Sequence, residues 1–395
     1  MKNFIFISPN FPENYKYFCR ELKNNGINVL GIGDCPYDAL DGVLRASLNE
    51  YYYVSSLENY DEVYRAVAFF AFKYGEIDFI ESNNEYWIER DACLRTAFNV
   101  KTGFMKKDVK KIKFKSQMKK YFQKAGVKTA RYCLVKNYAG CRKFIDETGY
   151  PVIVKPDNGV GAADTRRIKN DKELEEFFET KSSVQYIMEE YIAGEVVTYD
   201  AVIDSKGNPL FETGNVTPDS LMDVVNGGGN CVFYILKQPF EEVLEKGRST
   251  VKAFGAKSRF VHFEFFRLTR DQHIGKKGEI VALEVNMRPS GGISPDMMNY
   301  ANSTNVYKIW ADMIAYDSTL CPTGEKYYCA FAGRRDGKDF AYSEQDILDR
   351  FSANIKTVAR VPEALSNTMG NTLYVASFAT EKEMKQFYAE VLEVR

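Results

Sequence analysis

The chain has 395 residues, in which 53 Lys and Arg face 54 Asp and Glu, and its formal net charge is −1. This length allows roughly two to three domains, and the even charge balance argues against a protein that binds nucleic acid through a broad basic surface. No apolar run approaches about 18 residues, so no membrane-spanning helix is predicted. Eight Cys without a CxxC pair, and only two His, argue against a zinc site and favour a reducing cytoplasm.

Residues 1 to about 105 alternate short apolar strands with helices. This pattern predicts a parallel α/β sheet that is covered by helices on both faces. No GxGxxG motif follows the first strand, where residues 8–12 read Ser-Pro-Asn-Phe-Pro, so no dinucleotide site is predicted. The predicted strands lie at 4–7, 27–32, 52–54 and 77–80, and the predicted helices at 14–25, 61–74 and 85–98.

One strongly basic run covers residues 106–124, which hold nine Lys and one Asp. A solvated helix face accounts for this composition most simply. A nucleic-acid surface requires a wider footprint, with Arg and aromatic residues interleaved. We therefore predict no nucleic-acid partner.

A second alternating region covers residues 127–290. Its strand at 151–156 ends in Lys155, before a turn of small residues at 157–165. Small residues let backbone N–H groups approach phosphate oxygens, and the Lys adds a positive charge. The turn is not a Walker A loop, because no Gly-Lys-Ser/Thr follows. Further strands are predicted at 165–168, 186–192, 196–203, 210–216, 231–236, 260–268 and 279–285, and further helices at 171–180, 241–254, 306–315 and 381–394.

The strand at 186–192 runs out of its sheet into an acidic linker. A strand end of this kind exposes backbone N–H and C=O groups that can pair with the edge of an adenine. A carboxylate a few residues further on, at Glu195, can accept ribose hydroxyls. This segment therefore suits a nucleoside, although acidic linkers are also common without one.

Acidic and amide side chains gather at the end of the long predicted hairpin. Glu284 and Asn286 stand at i and i+2, which places both on one face of a strand. The hairpin sets them beside Glu264, whose carboxylate is costly to bury between aromatic residues unless a cation pairs with it. Two carboxylates and an amide suit a hard cation such as Mg²⁺ beside nucleotide phosphates. Arg288 follows directly, before a loop of Pro and Gly.

Together these residues resemble, in their order and spacing, the ATP-grasp superfamily. The resemblance is to the carboxylate–amine ligase branch, which includes biotin carboxylase, the carbamoyl-phosphate synthetase large subunit and amino-acid ligases. It implies an α/β chain, α+β in its grasp region. The implied parts are a Rossmann-like pre-ATP-grasp domain at 1–110, a two-subdomain ATP-grasp domain at 111–312 (127–190 and 191–312) and a small C-terminal α+β subdomain at 313–395.

The resemblance also implies a role for each matching position. The nucleotide phosphates are assigned to Lys115, Lys155, Gly159 and Gly161. The adenine hinge is assigned to Glu189, Glu190 and Ile192, and the ribose to Glu195. Mg²⁺, with Mn²⁺ as the alternative ion, is assigned to Glu264, Glu284 and Asn286, and the charge that develops in acyl transfer to Arg288. Ala162 and Ala163 depart from the Ser or Gly of several relatives, and residues 215–230 are expected to border the substrate.

The implied activity is an ATP-dependent ligase that joins a small carboxylate to an amine or a thiol through an acyl phosphate, releasing ADP and phosphate. Two alternatives stay open. One is a biotin-carboxylase-like or carbamoyl-phosphate-synthetase-like reaction of bicarbonate, and the other is a non-catalytic ATP-binding regulatory module. A cytoplasmic protein without a membrane partner is expected, and a homodimer is a further option that many relatives suggest.

Overall fold

The computed structural model describes residues 1–159, 164–218 and 230–395. Three features of the sequence analysis therefore lie outside the described residues: Gly161, the Ala162–Ala163 departure, and most of the predicted substrate-bordering stretch at 215–230. Within the described residues, no helix combines the length and the apolarity that crossing a membrane requires.

The N-terminal part is the predicted parallel sheet, with strand order β3-β2-β1-β4. Every residue of β1 is buried, as expected for a strand with helices on both sides of its sheet. Gly26 ends the first helix at a φ of 74°, the left-handed conformation that favours glycine. The elements are β1 (Asn3–Ile7), α1 (Lys16–Asn24), β2 (Asn28–Gly33), α2 (Gly42–Ser47), β3 (Glu50–Tyr53), α3 (Tyr60–Tyr74), β4 (Phe79–Glu81) and α4 (Ile88–Ala97).

A second sheet has the order β6-β9-β7-β8 and is antiparallel throughout. The return strand predicted after the small-residue turn is confirmed, since β8 pairs with β7. Its elements and their neighbours are α5 (Val109–Lys113), α6 (Lys115–Lys124), β5 (Lys128–Thr129), β6 (Tyr132–Leu134), α7 (Tyr138–Thr148), β7 (Val152–Pro156), β8 (Arg166–Ile168), α8 (Asp171–Thr180) and β9 (Tyr186–Glu190).

The third sheet joins ten described strands in the order β17-β18-β16-β13-β12-β10-β14-β15-β5, with β11 paired to β10. The single strand predicted at 210–216 is wrong, because it divides at Gly214, where a Cβ would lie 2.4 Å from the Thr198 carbonyl oxygen. The remaining elements are β10 (Gly194–Ile203), β11 (Pro209–Thr213), β12 (Asn215–Thr217), β13 (Cys231–Ile235), α9 (Glu241–Phe254), β14 (Arg259–Leu268), β15 (Ile280–Asn286), α10 (Ser294–Asn302), α11 (Val306–Tyr316), β16 (Tyr328–Arg334), α12 (Glu344–Arg350), β17 (Ile355–Arg360), α13 (Glu363–Met369), β18 (Thr372–Phe378) and α14 (Glu381–Val391).

Two of the predicted domain boundaries fall inside helices. The boundary after residue 110 divides α5, and the boundary after residue 312 divides α11. Helix α11 returns to the N-terminal sheet, where Trp310 packs edge-on against Phe4 at 5.4 Å and Phe18 at 4.9 Å between ring centroids. The C-terminal strands β16 to β18 then extend the third sheet. Residues 313–395 are therefore continuous with the rest of the chain in both packing and hydrogen bonding.

The packing of α9 on the third sheet can be tested at a buried glycine. A Cβ at Gly247 would lie 2.2 Å from the Tyr199 ring, whereas a Cβ at Gly42, in the first turn of α2, would meet nothing within 4 Å. We expect Gly247→Ala to lower the free energy of unfolding by about 1–3 kcal/mol through overpacking. The matched control, Gly42→Ala, is expected to be neutral or slightly stabilising. Equal unfolding free energies for both variants in urea titrations would contradict this packing.

Candidate functional site

A cavity of about 180 Å³ lies between the second sheet and the β14–β15 hairpin. One end is apolar, and the other carries most of the predicted charged residues. Its lining is Lys115, Lys119, Ala130, Ile153, Lys155, Thr165, Arg167, Glu189, Glu190, Tyr191, Ile192, Gly194, Val196, Thr217, Glu264, Phe266, Ala282, Leu283 and Glu284.

Helix α6 brings two lysines to the cavity. Lys115 and Lys119 stand at i and i+4 and therefore lie on one face of the helix. The start of the helix is held by Asp157, whose carboxylate accepts hydrogen bonds from the Ser116 N–H at 2.8 Å and hydroxyl at 2.7 Å. The Lys115 ammonium donates to the Gly159 carbonyl oxygen at 2.9 Å and lies 3.4 Å from Glu284 Oε2. The first predicted lysine is thus fixed at the charged end of the cavity.

Glu189 forms a buried ionic cluster with Lys119 and Lys155. Its Oε2 lies 2.7 Å from Lys155 Nζ, and its Oε1 contacts Lys119 Nζ. Burial alone raises the pKa of Glu189, but the two ammonium groups outweigh it and lower the pKa to about 2. Burial lowers the pKa of Lys119, which shares its anion with a second cation. Burial also lowers the pKa of Lys155, but the carboxylates of Glu189 and Glu284 outweigh burial and raise this pKa overall.

The segment that leaves β9 forms the predicted hinge. The Glu190 side chain is occupied in holding it, because it accepts from the Arg131 N–H at 2.7 Å and from Arg131 Nε at 2.8 Å. Gln272, at the tip of the β14–β15 hairpin, bonds both backbone groups of Ala193 at 2.8 and 2.9 Å. The Ile192 N–H has no acceptor among the described residues, which leaves a donor for a ligand at the cavity wall.

The hinge borders the apolar end of the cavity. Ile192 is buried and packs in a small cluster with Ala130, Leu268 and Val281. Ile153 and Phe266 add further apolar surface. Apolar walls beside an unpaired backbone donor suit an aromatic base.

The register of β14 with β15 brings the predicted metal ligands together. Glu264 stands directly opposite Glu284, and Asn286 stands opposite His262. The Asn286 Nδ2 donates to Glu264 Oε1 at 3.4 Å. Within the described residues, no group of three or more His, Cys, Asp or Glu is placed to hold a metal ion. The donor set of two carboxylates and an amide nevertheless fits Mg²⁺, which takes one or two carboxylates and completes its shell with phosphate oxygens and water.

His262 supports this acidic pair from inside the sheet. Its Nδ1 lies 2.8 Å from Asp200 Oδ1, and its Nε2 lies 3.2 Å from Glu264 Oε1. Burial lowers the pKa of His262, but the Asp200 and Glu264 carboxylates outweigh it and raise the pKa to about 9. Burial likewise opposes ionisation of Glu264, whose pKa is lowered by the hydrogen bond from His262. The imidazolium therefore holds Glu264 in its ionised form and in a fixed orientation.

Arg288 lies beyond the acidic pair, in the loop after β15. Its Nη2 donates to Asn286 Oδ1 at 3.2 Å and its Nη1 to the Pro289 carbonyl oxygen at 2.7 Å. Its Nε lies 3.6 Å from Glu85 Oε2. The guanidinium is therefore oriented by the same amide that is assigned to the metal.

Eleven of the twelve predicted site residues are described, and seven of them line the cavity. Among the other four, Glu195 is directed away from it. Glu195 pairs with Arg267 at 3.1 Å, and Arg267 lies over the Phe240 ring. Its neighbours Gly194 and Val196 line the cavity instead. Since strand side chains alternate between faces, β10 directs Glu195 to the opposite face, and the geometry does not support a ribose contact there.

Sequence reasoning missed three residues of this region. Lys119 could have been predicted, because its i+4 spacing from Lys115 places both lysines on one face of a helix. His262 stands two residues before Glu264, so the alternation of the strand could have placed it on the same face. Glu85 carried no local signal, because its proximity to Arg288 depends on how the N-terminal sheet meets the hairpin.

The buried cluster yields a stability prediction. Glu189→Gln leaves two buried ammonium groups without their shared anion, and breaking a buried pair costs about 3–5 kcal/mol. Because the pKa of Glu189 is lowered in the folded state, this stabilisation is complete above the ordinary pKa of 4.5 and is lost as the pH falls toward 2. Urea unfolding of the nucleotide-free protein at pH 7 and at pH 3 measures both effects.

Two further variants complete that experiment. Lys119→Met added to Glu189→Gln removes one of the stranded cations and is expected to restore part of the loss. Glu179→Gln, an exposed carboxylate on α8, is the matched control and is expected to be neutral. A Glu189→Gln protein as stable as this control at pH 7 would show that the cluster contributes nothing to folding.

Residues 112–292 match the ATP-grasp domain family. The carbamoyl phosphate synthase large chain of Agathobacter rectalis is 25% identical over 172 residues, which cover 42% of this chain and 15% of that protein. The chain thus corresponds to a small part of that relative's length.

Several solved structures share the fold across nearly the whole chain. The L-amino acid ligase from Bacillus licheniformis has a TM-score of 0.71 at 17% identity, covering 100% of this chain and 98% of that one. The N5-carboxyaminoimidazole synthetase from Staphylococcus aureus, complexed with ADP, has a TM-score of 0.72 at 14% identity, with 98% and 96% covered. The biotin carboxylase domain dimer of the Hydrogenobacter thermophilus 2-oxoglutarate carboxylase, in complex with MgADP, has a TM-score of 0.68 at 15% identity, with 100% and 90% covered.

At these identities the structural similarity shows the fold, and it confirms the predicted fold class. The family match covers the cavity, the hinge, the hairpin and Arg288. Residues 112–292 therefore form an ATP-grasp domain.

Proposed function

We propose that this protein is an ATP-dependent ligase that joins a small carboxylate to an amine through an acyl phosphate and releases ADP and phosphate. One observation carries the proposal. A single cavity runs from an apolar hinge to buried lysines and then to two opposed carboxylates, with an arginine directly beyond them. This order matches the order of base, phosphates and reacting carboxylate that such a reaction requires.

The nucleotide is proposed to lie along the cavity with its base at the hinge. The Ile192 N–H then pairs with the base, and the apolar walls enclose it. Lys155, Lys119 and Lys115 follow in the direction of the phosphates and supply point charges for their oxygens. Two cations around Glu189 leave a net positive charge in this cluster, which suits an anionic group.

The phosphoryl end is proposed to lie at the acidic pair. Glu264, Glu284 and Asn286 would hold Mg²⁺, which when bound offsets negative charge on the phosphoryl oxygens. The carboxylate substrate attacks the γ-phosphorus, and its new bond to phosphorus replaces the bond to the ADP oxygen. Lys115, 3.4 Å from Glu284, is positioned to bind the same oxygens. The product of this step is an acyl phosphate.

Arg288 is proposed to act in the second step. The attacking amine converts the acyl carbonyl into a tetrahedral species with a negatively charged oxygen. A guanidinium oriented by Asn286 and Pro289 can donate to that oxygen without reorganising. The names of the similar structures support the proposal, since they include an amino acid ligase and complexes with ADP or MgADP. Mn²⁺ in place of Mg²⁺, the homodimer and the cytoplasmic location stay predictions.

The proposal is tested by measuring ADP release. The protein is incubated with Mg-ATP and pooled carboxylates, including amino acids and bicarbonate, with and without pooled amines. Glu284→Gln serves as the blank, because it removes one of the opposed carboxylates. We expect release above the blank only when a carboxylate and an amine are both present, a condition that the amino acids of the first pool can meet by themselves. Release with bicarbonate alone would favour the carboxylase-like alternative, and no release from a protein that binds Mg-ATP would favour the regulatory module.

The role of Arg288 gives a separate prediction. We expect Arg288→Ala to lower kcat by about 10²–10³-fold, the usual effect of losing one oxyanion donor. The affinity for Mg-ATP, measured by calorimetry, should stay within about threefold because Arg288 is not assigned to the nucleotide. Arg267→Ala is the control, since that arginine pairs with Glu195 on the other face of the sheet. A parallel loss of nucleotide affinity in Arg288→Ala would assign it to the phosphates instead.

A further inference from the structure

A buried carboxylate faces Arg288 from the N-terminal sheet. Glu85 follows β4 and is only 9% exposed. Its Oε2 is buried and has no hydrogen-bond partner among the described residues. The nearest cation, Arg288 Nε, lies 3.6 Å away, which is longer than a hydrogen bond. A buried carboxylate oxygen without a donor is costly, so its retention requires an explanation.

The segment that carries Glu85 is held rigidly. Ser82 donates from its N–H and its hydroxyl to Asp91 Oδ2, at 2.9 and 2.6 Å. The Asn83 carbonyl oxygen accepts from the Tyr15 hydroxyl at 2.5 Å. Asn83 itself has a φ of 53°, in the left-handed region that a non-glycine residue adopts at a cost of roughly 1–3 kcal/mol. Such strain persists only where the surrounding contacts determine the backbone conformation. Here those contacts fix the direction in which the chain runs from Asn83 to Glu85.

A second buried polar group lies in the same segment. Asn83 is 2% exposed, and its Nδ2 has no hydrogen-bond partner among the described residues. An unpaired donor and an unpaired acceptor within three residues are difficult to attribute to folding, because each loses its hydration on burial. Both are accounted for together if a polar ligand completes them.

The position of Glu85 relates it to the proposed second step. The charged groups that act on it are Arg288, Glu284, Lys113 and Lys115. They come from the loop after β15, from β15, from the end of α5 and from the start of α6, so Glu85 lies at the end of this row of charges. Burial raises the pKa of Glu85, although Arg288 opposes this. A carboxylate in such a place is a better proton acceptor than one in water.

We propose that Glu85 and Asn83 form the subsite of the attacking amine, and that Glu85 binds its ammonium group and takes its proton. The inference rests on the proposed function. An ammonium has three N–H donors and no lone pair, so it requires an acceptor for binding and a base before it can attack. Glu85 Oε2 supplies both beside Arg288, where the acyl phosphate is proposed to react. The substrate class is therefore a primary amine that is cationic in solution, with a polar acceptor for Asn83 Nδ2.

The atoms balance as follows. The acyl phosphate and the ammonium give an amide, hydrogen phosphate and one proton. The C–N bond forms as the bond between the acyl carbon and the phosphate oxygen breaks. Glu85 accepts the first nitrogen proton, which then passes to solvent, and the departing phosphate accepts the second.

Glu85 could instead have a purely structural role as the ion-pair partner of Arg288. In that case Glu85→Gln would slow the reaction of a neutral nucleophile as much as the reaction of a cationic amine. Hydroxylamine is uncharged at neutral pH and converts acyl phosphates to hydroxamates without a base. We therefore compare Glu85→Gln with the wild type in Mg-ATP and pooled L-amino acids, in one arm with hydroxylamine and in the other with the cationic amines alone. Glu76→Gln, an exposed residue of the same domain, is the matched control.

We expect Glu85→Gln to lower amide formation by at least about 100-fold, the usual contribution of a general base, while hydroxamate formation falls by much less. Equal loss of amide and hydroxamate would overturn the subsite and leave Glu85 as a support for Arg288. Amide formation equal to that of Glu76→Gln would overturn it as well. A wild type that forms hydroxamate but no amide from any amine would exclude a cationic acceptor. A wild type that forms neither would reject the proposed function, and the subsite with it.

Discussion

The arrangement of the whole site depends on one pair of like charges. Antiparallel pairing of β14 with β15 sets Glu264 directly opposite Glu284, and like charges in that position destabilise a sheet. The fold compensates with cations from two directions. The imidazolium of His262 lies 3.2 Å from Glu264, and the ammonium of Lys115 lies 3.4 Å from Glu284. Separating the hairpin from α6 would therefore leave Glu284 without the ammonium of Lys115, while His262, on β14 itself, would stay beside Glu264.

A second unequal set of charges lies further into the cavity. Lys119 and Lys155 share the single carboxylate of Glu189, so this cluster retains an excess positive charge where the hairpin retains an excess negative one. The excess positive charge of the lysine cluster and the excess negative charge of the hairpin are thus close to each other without being paired. A ligand that carries both anionic oxygens and a divalent cation complements the two clusters at once. This is the electrostatic description of a metal-bound nucleotide, and it explains why neither cluster is neutral by itself.

Much of this site could be predicted from sequence because it is local. The i, i+2 spacing of Glu284 and Asn286 and the apolar alternation around Glu264 fix the faces of a hairpin, and the structure brings these residues together. The face of Glu195 could not be predicted, since a shift of one residue at the start of β10 reverses every side chain. The predicted boundary after residue 312 falls inside α11. Nothing in α11 shows that its apolar face packs on the N-terminal sheet, which lies about 300 positions away in the chain.

Long-range contacts also connect the N-terminal sheet to the loop that carries Arg288. Arg259 links the two parts, because it donates to Glu81 Oε2 at 2.7 Å and to the Met287 carbonyl oxygen at 2.8 Å. Asn14 adds a second link to the Gly292 carbonyl oxygen at 3.0 Å. The loop that carries Arg288 is therefore tied to the N-terminal part indirectly at Met287, through Arg259 of β14, and directly at Gly292, through Asn14.

It follows that the cavity and the region around Arg288 beyond it are built differently. The cavity consists of elements within 112–292, the range that matches the ATP-grasp domain family. The region around Arg288 is completed by the loops that follow β1 and β4, at the edge where open parallel sheets bind their ligands. Loops tolerate substitution more readily than the strands that position them. Differences in substrate between this chain and its structural relatives are therefore expected to arise from the segments around Asn14 and Glu85, while the hairpin and the lysines retain a common phosphate chemistry.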